Sequence, residues 1–313
     1  MSRWLEFRCC AAMADGTRHD FLDPVAISRG ENLGILARKV VEGYRVGEHR
    51  SPFKGFAIEF AQHREYTVGD DPRHLDWKVL GRTDRYYIKQ YEQDTNMVVH
   101  LLVDGSQSMS YGSGKITKLH YAKAMAACLA YLVLVQRDST AISLFDSETR
   151  EYIPRTDNLG KIHHIMDRLA AFEPTRATNL GSALADLTRI ARARGIVVVL
   201  SDLFDDEDRF ERGLQQLRFG GHEIIVFHVL DPDELDFPFK GRVEFEGLEG
   251  ASTIETSPAD IRTSYLHEME AMRRRMRAAC ERTGSHYVLA DTGHSLAETL
   301  SGYLAFRQKV CAR

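Results

Sequence analysis

The chain has 313 residues, 43% hydrophobic and 27% charged, a composition that excludes long disorder, collagen-like repeats and a coiled-coil rod. Its 41 basic and 45 acidic side chains leave a formal charge of -4, so no global field draws in a polyanion, and a nucleic-acid role would need a local basic patch. Five cysteines (Cys9, Cys10, Cys128, Cys280, Cys311) form no CxxC pair and are too sparse for a disulfide framework, which fits a reducing cytosol.

Arg3, Glu6 and Arg8 open the chain with no long apolar stretch after them, so no secretory segment is expected. Residues 24–44 predict a helix and lead into Gly47-Glu48-His49-Arg50-Ser51-Pro52. A dense polar block follows over 59–94, with little periodicity until Tyr86-Tyr87-Ile88. From Met97 the pattern changes to short β-branched runs alternating with helical spacing, which builds a parallel sheet covered by helices. Near-continuous apolar runs at 98–103, 140–145, 196–200, 224–229 and 286–289 read as strands buried on both faces. Met125, Cys128, Leu129 and Leu132 recur at helical spacing, and 180–193 reads as another helix. Ser257-Pro258-Ala259-Asp260 supplies a cap, a proline at the first helical position and an early acid, opening a helix towards Gly284. Its Arg273, Arg274, Arg275 and Arg277 read as a solvated basic face. The longest apolar-rich stretch, 125–135, is far short of the roughly 20 residues a bilayer span needs. The expected organisation is an N-terminal extension over 1–96 and an α/β domain over 97–313, in a soluble cytoplasmic protein.

The strongest local signal is Asp104-Gly105-Ser106-Gln107-Ser108, placed immediately after the first buried strand. In open parallel sheets, ligands bind at the carboxyl ends of the strands. Thr178-Asn179-Leu180-Gly181 opens a helix and Ser201-Asp202 closes a strand, so all three segments can meet at one sheet edge. Carboxylates with neutral hydroxyl oxygens suit a hard cation, Mg²⁺ or Mn²⁺. Each piece alone could merely cap a helix or turn. Together, in this order, they resemble the metal-ion-dependent adhesion site of von Willebrand factor A domains, whose fold is Rossmann-like. That resemblance implies that Ser106, Ser108 and Thr178 ligate the cation, that Asp104 and Asp202 hold it directly or through water, and that one coordination position stays open for a partner's carboxylate. From their places at strand ends, Asp104 and Asp202 are expected outside the apolar core and replaceable without loss of fold.

The second signal is the block Arg64-Glu65-Tyr66-Thr67-Val68-Gly69-Asp70-Asp71-Pro72-Arg73-His74-Leu75-Asp76-Trp77-Lys78, followed by Arg82-Thr83-Asp84. With His49-Arg50-Ser51 and Glu59-Phe60 it resembles the signature of the bacterial domain-of-unknown-function 58 family, whose members join it to a von Willebrand A domain. The resemblance implies partnership with a MoxR-type AAA+ ATPase. Read physically, the balanced charges of this block predict either an ion-pair lattice or a docking surface for another protein. Arg64, Tyr66, Gly69, Asp70, Asp71, Arg73, Asp76, Trp77 and Arg82 are its candidate residues.

No catalytic residue is assigned. Gly293-His294-Ser295 sits in the context of a nucleophile elbow, yet no histidine follows Ser295. Ala271 takes the place of a second zinc ligand after His267-Glu268, the adjacent His163 and His164 cannot share a helix face, and no phosphate-binding G-x-x-x-x-G-K-[ST] loop occurs. The run Asp205-Asp206-Glu207-Asp208 reads as a helix N-terminus. The expectation is therefore a non-enzymatic, cation-bridged protein-binding module. A metal-dependent hydrolase and, further off, a nucleic-acid binder are the alternatives.

Overall fold

A computed structural model describes residues 7–8, 58–67, 75–83, 85–93, 97–114, 116–175, 178–240, 243–247, 254–296, 298–300 and 302–303. The helix expected over 24–44 lies outside them, as do 47–52, Cys9, Cys10, Cys311 and Gly69, Asp70, Asp71 and Arg73 of the polar block. The chain forms two compact units, residues 45–96 and residues 1–44 with 97–313.

First among the described residues is a two-residue strand, β1 (Phe7–Arg8). In the smaller unit β2 (Ile58–Glu65), α1 (Trp77–Thr83) and β3 (Tyr87–Gln93) follow, and β2 pairs antiparallel with β3. The register shifts between Phe60 and Gln62, and such a break disrupts the alternation by which a strand is read from sequence. A seven-residue helix is likewise shorter than the window that reveals helical spacing. Asp76 is buried, and its carboxylate accepts the Val79 N–H at 3.3 Å, capping α1.

The larger unit is a mixed α/β fold. Its elements are β4 (Val98–Asp104), a short 3₁₀ turn over Gln107–Ser110, α2 (Lys118–Val135), β5 (Ser139–Phe145), β6 (Thr149–Thr156), α3 (Ile162–Ala171), α4 (Leu180–Ile190), β7 (Gly195–Ser201), α5 (Glu207–Phe219), β8 (Glu223–Leu230), α6 (Pro232–Asp236), β9 (Val243–Gly247), β10 (Ile254–Thr256), α7 (Pro258–Arg282) and β11 (His286–Asp291). Six strands make the central sheet in the order β11-β8-β7-β4-β5-β6, all parallel except the edge strand β6. β9 pairs antiparallel with β10 and with β1, so residues 7–8, within the expected N-terminal extension, belong to a sheet of this unit.

Alternation along the strands explains the two cores. Val99, Leu101 and Val103 of β4 enter one cluster with Met125 of α2 and Leu169 of α3, while Leu102 enters the opposite cluster with Leu184 of α4, Phe210 of α5 and Met276 of α7. Because both faces are covered, the strands read as continuous apolar runs. α2 starts earlier than the 125–135 apolar stretch and spans 18 residues, long and apolar enough by length and composition to cross a membrane. Most of it is buried against the sheet instead. The acidic run opens α5, with Asp206 accepting the Arg209 N–H at 2.9 Å and Glu207 and Asp208 in the first turn. On α7, Arg275 and Arg282 reach Glu207, Arg282 also reaches Glu211, and Arg277 lies over Tyr287. Of the basic stretch itself, Arg274, Arg275 and Arg277 are exposed, as a solvated face requires, and Arg273 pairs with Glu270 on the same helix.

Candidate functional site

The chain leaves β4 towards β5 on one side and returns to β7 on the other, so the strand order reverses between β4 and β7. Crevices at such reversals, at the carboxyl ends, are where α/β sheets bind ligands. Register places Val103 beside Leu200 and Asp104 beside Phe145, so Asp104, Ser201 and Asp202 emerge together at that edge.

Asp104 is fully buried and gathers hydroxyls. Its Oδ1 accepts the Ser106 N–H at 2.9 Å, and its Oδ2 accepts Ser201 Oγ at 2.6 Å and Thr178 Oγ1 at 3.1 Å. Ser106 Oγ and Ser108 Oγ share a hydrogen bond at 3.0 Å, both buried, in the 3₁₀ turn that follows β4. Thr178 precedes α4, whose cap is Asn179, accepting the Ser182 N–H at 3.1 Å. Asp146, buried at the end of β5, steadies this approach: its backbone carbonyl accepts the Asn179 N–H and its Oδ2 accepts Thr175 Oγ1 at 2.9 Å. Gly105 sits where a Cβ would fall 2.0 Å from the Phe172 ring, which is why no larger residue fits between Asp104 and the serines.

Asp202 is buried to the same degree but takes a different partner. Its Oδ2 accepts Lys118 Nζ at 2.8 Å, and the same ammonium reaches Glu234 Oε1 at 2.7 Å. Lys118, in the first turn of α2, is itself fully buried, with Nζ 5.1 Å from the Phe204 ring centroid. Glu234 is fixed by a capping box at the start of α6: its Oε2 accepts the Asp231 N–H at 2.8 Å, and Asp231 accepts the Asp233 N–H at 3.0 Å. Leu203, next to Asp202, is held at φ 56°, an uncommon conformation for a leucine, while its side chain is 1% exposed. Strain of about 1 to 3 kcal/mol is retained where the surroundings over-determine it, and functional turns are the usual place.

Electrostatics separate the two acids. Burial first, and then the Asp202 charge, push the Asp104 carboxyl up to about 7, against hydrogen bonds from Ser201 and Ser106 that favour its ionised form. Burial opposes the Lys118 charge, yet Asp202 and Glu234 outweigh it and hold the ammonium above its ordinary value. Burial also raises Glu234, with Lys118 acting against the rise.

The five expected metal residues are therefore placed as follows: Asp104, Ser106, Ser108 and Thr178 are joined by hydrogen bonds, while Asp202 faces Asp104 through its charge and Lys118 through its hydrogen bond. Two expectations need correction. Asp104 and Asp202 are not outside the core but fully buried, and Asp202 is ion-paired, so its removal strands a buried ammonium. Sequence reasoning also missed Ser201, Lys118 and Glu234. Ser201 adjoins the noted Asp202, but Lys118 and Glu234 carry no spacing signal because they come from different helices, 116 residues apart.

Among the described residues, no group of three or more His, Cys, Asp or Glu side chains could hold a metal ion. A cation here would rest on hydroxyl oxygens beside two carboxylates, and this donor set fits a hard divalent ion: Asp104 is buried, resists ionisation and faces a second carboxylate, a repulsion that a cation would relieve.

In the smaller unit, four of the candidates, Gly69, Asp70, Asp71 and Arg73, lie outside the described residues. Arg85 and Glu65 pair at 3.5 Å, with side chains 70% and 65% exposed. Trp77 is 65% exposed, Arg82 is exposed at the end of α1, the Tyr66 ring lies 6.3 Å from that of Tyr86, and Arg64 occupies β2 opposite Ile88.

Comparison with known proteins places these features in a family. An uncharacterized protein of Mycobacterium bovis, Mb1516, is 28% identical over 245 residues, covering 77% of this chain and 76% of its own, and the Mycobacterium tuberculosis protein Rv1480 matches to the same extent. Among solved structures, the conserved hypothetical protein BatB of Bacteroides thetaiotaomicron aligns over 68% of this chain and 99% of its own, at 17% identity and a TM-score of 0.43. An aerotolerance-related membrane protein of Bacteroides fragilis aligns over 67% and 99%, at 17% identity and a TM-score of 0.46. The family described as "Protein of unknown function DUF58" matches residues 62–276, from β2 through most of α7, and the chain belongs to it.

Proposed function

We propose that this protein is a von Willebrand A-type binding module that recognises a protein partner through a divalent cation at the β4/β7 edge, and that it performs no catalysis. The observation that carries the reading is the convergence of Ser106, Ser201 and Thr178 on the buried Asp104, whose carboxyl is pushed up to about 7 with Asp202 facing it. Ser106, Ser108 and Thr178 would supply neutral oxygens to Mg²⁺ or Mn²⁺, and Asp104 and Asp202 the charge. The cation would supply a Lewis-acidic position for an Asp or Glu of the partner. Ser201 holds Asp104 in place, and Asp146 steadies the approach to Thr178.

The partner we propose is a MoxR-type AAA+ ATPase in the cytoplasm, as the family resemblance implies. Affinity capture from native cells, with and without chelator, tests both parts. An ATPase complex that chelation dissolves, that Mg²⁺ restores, and that Ser106→Ala with Ser108→Ala abolishes even in excess cation would support the reading. A complex insensitive to both treatments would leave the partner and remove the bridge. Isothermal titration of Mg²⁺ and Mn²⁺ into Asp104→Ala, with circular dichroism as the fold control, tests the site alone; unchanged cation binding would remove it.

A further inference from the structure

We propose that Lys118 is a resident counter-ion of the cation site, competing with a divalent cation for Asp202 and keeping the cation affinity of the free protein low. The inference rests on the proposed cation site and concerns a residue outside the motif. Lys118 Nζ lies 2.8 Å from Asp202 Oδ2, with both side chains fully buried, so water screens this contact little. Glu234 Oε1 holds the same ammonium at 2.7 Å from the other side, and Glu234 is fixed by the capping box of α6, so the ammonium is anchored at two points.

Two consequences follow for a cation approaching the edge. First, one oxygen of Asp202 is already engaged, and the other lies 3.5 Å from the Phe204 N–H. Second, a fixed positive charge stands one hydrogen bond from a carboxylate whose charge the cation needs, and like charges in a buried setting repel strongly. Asp104 differs: hydroxyls and a backbone N–H surround it, and the hydroxyls can turn their oxygens to a cation or stay bonded to the carboxylate without adding charge. Lys118 thus makes the Asp202 half of the site the one that limits cation binding.

Mn²⁺ titration by calorimetry, with thermal melting as the fold control, tests this. Lys118→Met should bind Mn²⁺ at least tenfold more tightly than the wild type, about 1.4 kcal/mol, whereas Lys118→Arg, which keeps the charge, should stay near the wild type. Because Lys118→Met leaves the buried Asp202 and the partly buried Glu234 facing one another as unpaired carboxylates, Lys118→Met with Glu234→Gln is the companion variant. It changes the net charge of the chain by nothing and should still bind more tightly than the wild type. Unchanged or weaker Mn²⁺ binding in both variants overturns the proposal. The same titrations with Asp104→Ala added separate it from the reading beneath it: binding that needs Asp104 but ignores Lys118 removes the counter-ion alone, and binding that ignores Asp104, or no binding in any variant, removes both.

Discussion

Asp104 and Asp202 stand at the ends of neighbouring strands at one sheet edge, both fully buried, and the fold accommodates their charges in opposite ways. Asp104 is surrounded by dipoles, from Ser106, Thr178 and Ser201, and resists ionisation; Asp202 is met by a full charge, Lys118, which Glu234 shares. Dipoles leave the carboxylate available to a cation, whereas an ammonium holds it already. The comparison teaches that a site assembled from similar residues need not be electrostatically symmetric, and that the asymmetry sits in partners supplied by distant helices.

The sharpest way to break the contrast is to remove the charge that defines one half. Lys118→Met leaves the fully buried Asp202 and the partly buried Glu234 without their counter-ion, and loss of one member of a buried pair costs about 3 to 5 kcal/mol. Thermal or denaturant unfolding without divalent cation should show a loss of that order; a change under about 1 kcal/mol would mean the pair is not buried in solution.

The Asp104 half should respond with the opposite sign. Its folded carboxyl titrates near 7 against an ordinary 3.8, so ionisation penalises the fold progressively as pH rises from 3.8 through 7, and the penalty is fully present above 7. Asp104→Asn removes that penalty and loses one acceptor, so at pH 8 without cation it should stabilise by about 1 to 3 kcal/mol. The variant's melting should also become insensitive to Mg²⁺. A clear destabilisation at pH 8 would show that the carboxylate is better satisfied than its surroundings indicate.

His100, four residues before Asp104 on β4, is a third way of burying a titratable group: neither ring nitrogen has a hydrogen-bond partner among the described residues, and the His222 ring stands edge-on at 6.1 Å. Burial, with His222 and Arg155 adding to it, lowers His100 to about 4, so below pH 6.5 the unfolded chain takes a proton that the fold refuses. Stability supplied by the neutral ring is therefore lost as pH falls from 6.5 towards 4. His100→Leu should gain on the wild type by about 1.4 kcal/mol per pH unit across that window, read from paired unfolding curves. A constant difference between the two chains would show that His100 does not titrate this way.

The exposed pair in the smaller unit sharpens the contrast from the other end. Glu65→Gln breaks the contact with Arg85, and for side chains this open to water the expected change in melting is within about 0.5 kcal/mol. A loss comparable to that of Lys118→Met would favour an ion-pair lattice in this block over a docking surface.

Much of the larger unit was legible because strands buried on both faces leave continuous apolar runs: 98–103, 196–200 and 224–229 fall within β4, β7 and β8. The edge strand β6 was not legible, since only two of its eight residues are buried and its pairing with β5 shifts register twice. The same reasons hid β2, with its irregular pairing, and α1, with its seven residues.

By itself, the sequence determined the strands buried on both faces and the places of Asp104, Ser106, Ser108, Thr178 and Asp202 at strand and helix ends, because local periodicity and short motifs are written in consecutive residues. Only the tertiary structure decided what each carboxylate faces. Lys118 lies 84 residues from Asp202 and 116 from Glu234, and nothing in its own surroundings in the chain marks a lysine that ends up with no exposed surface. Charge at a buried site is a property of every element that packs there, so it appears only when the β4 and β7 ends, the first turn of α2 and the start of α6 are brought together.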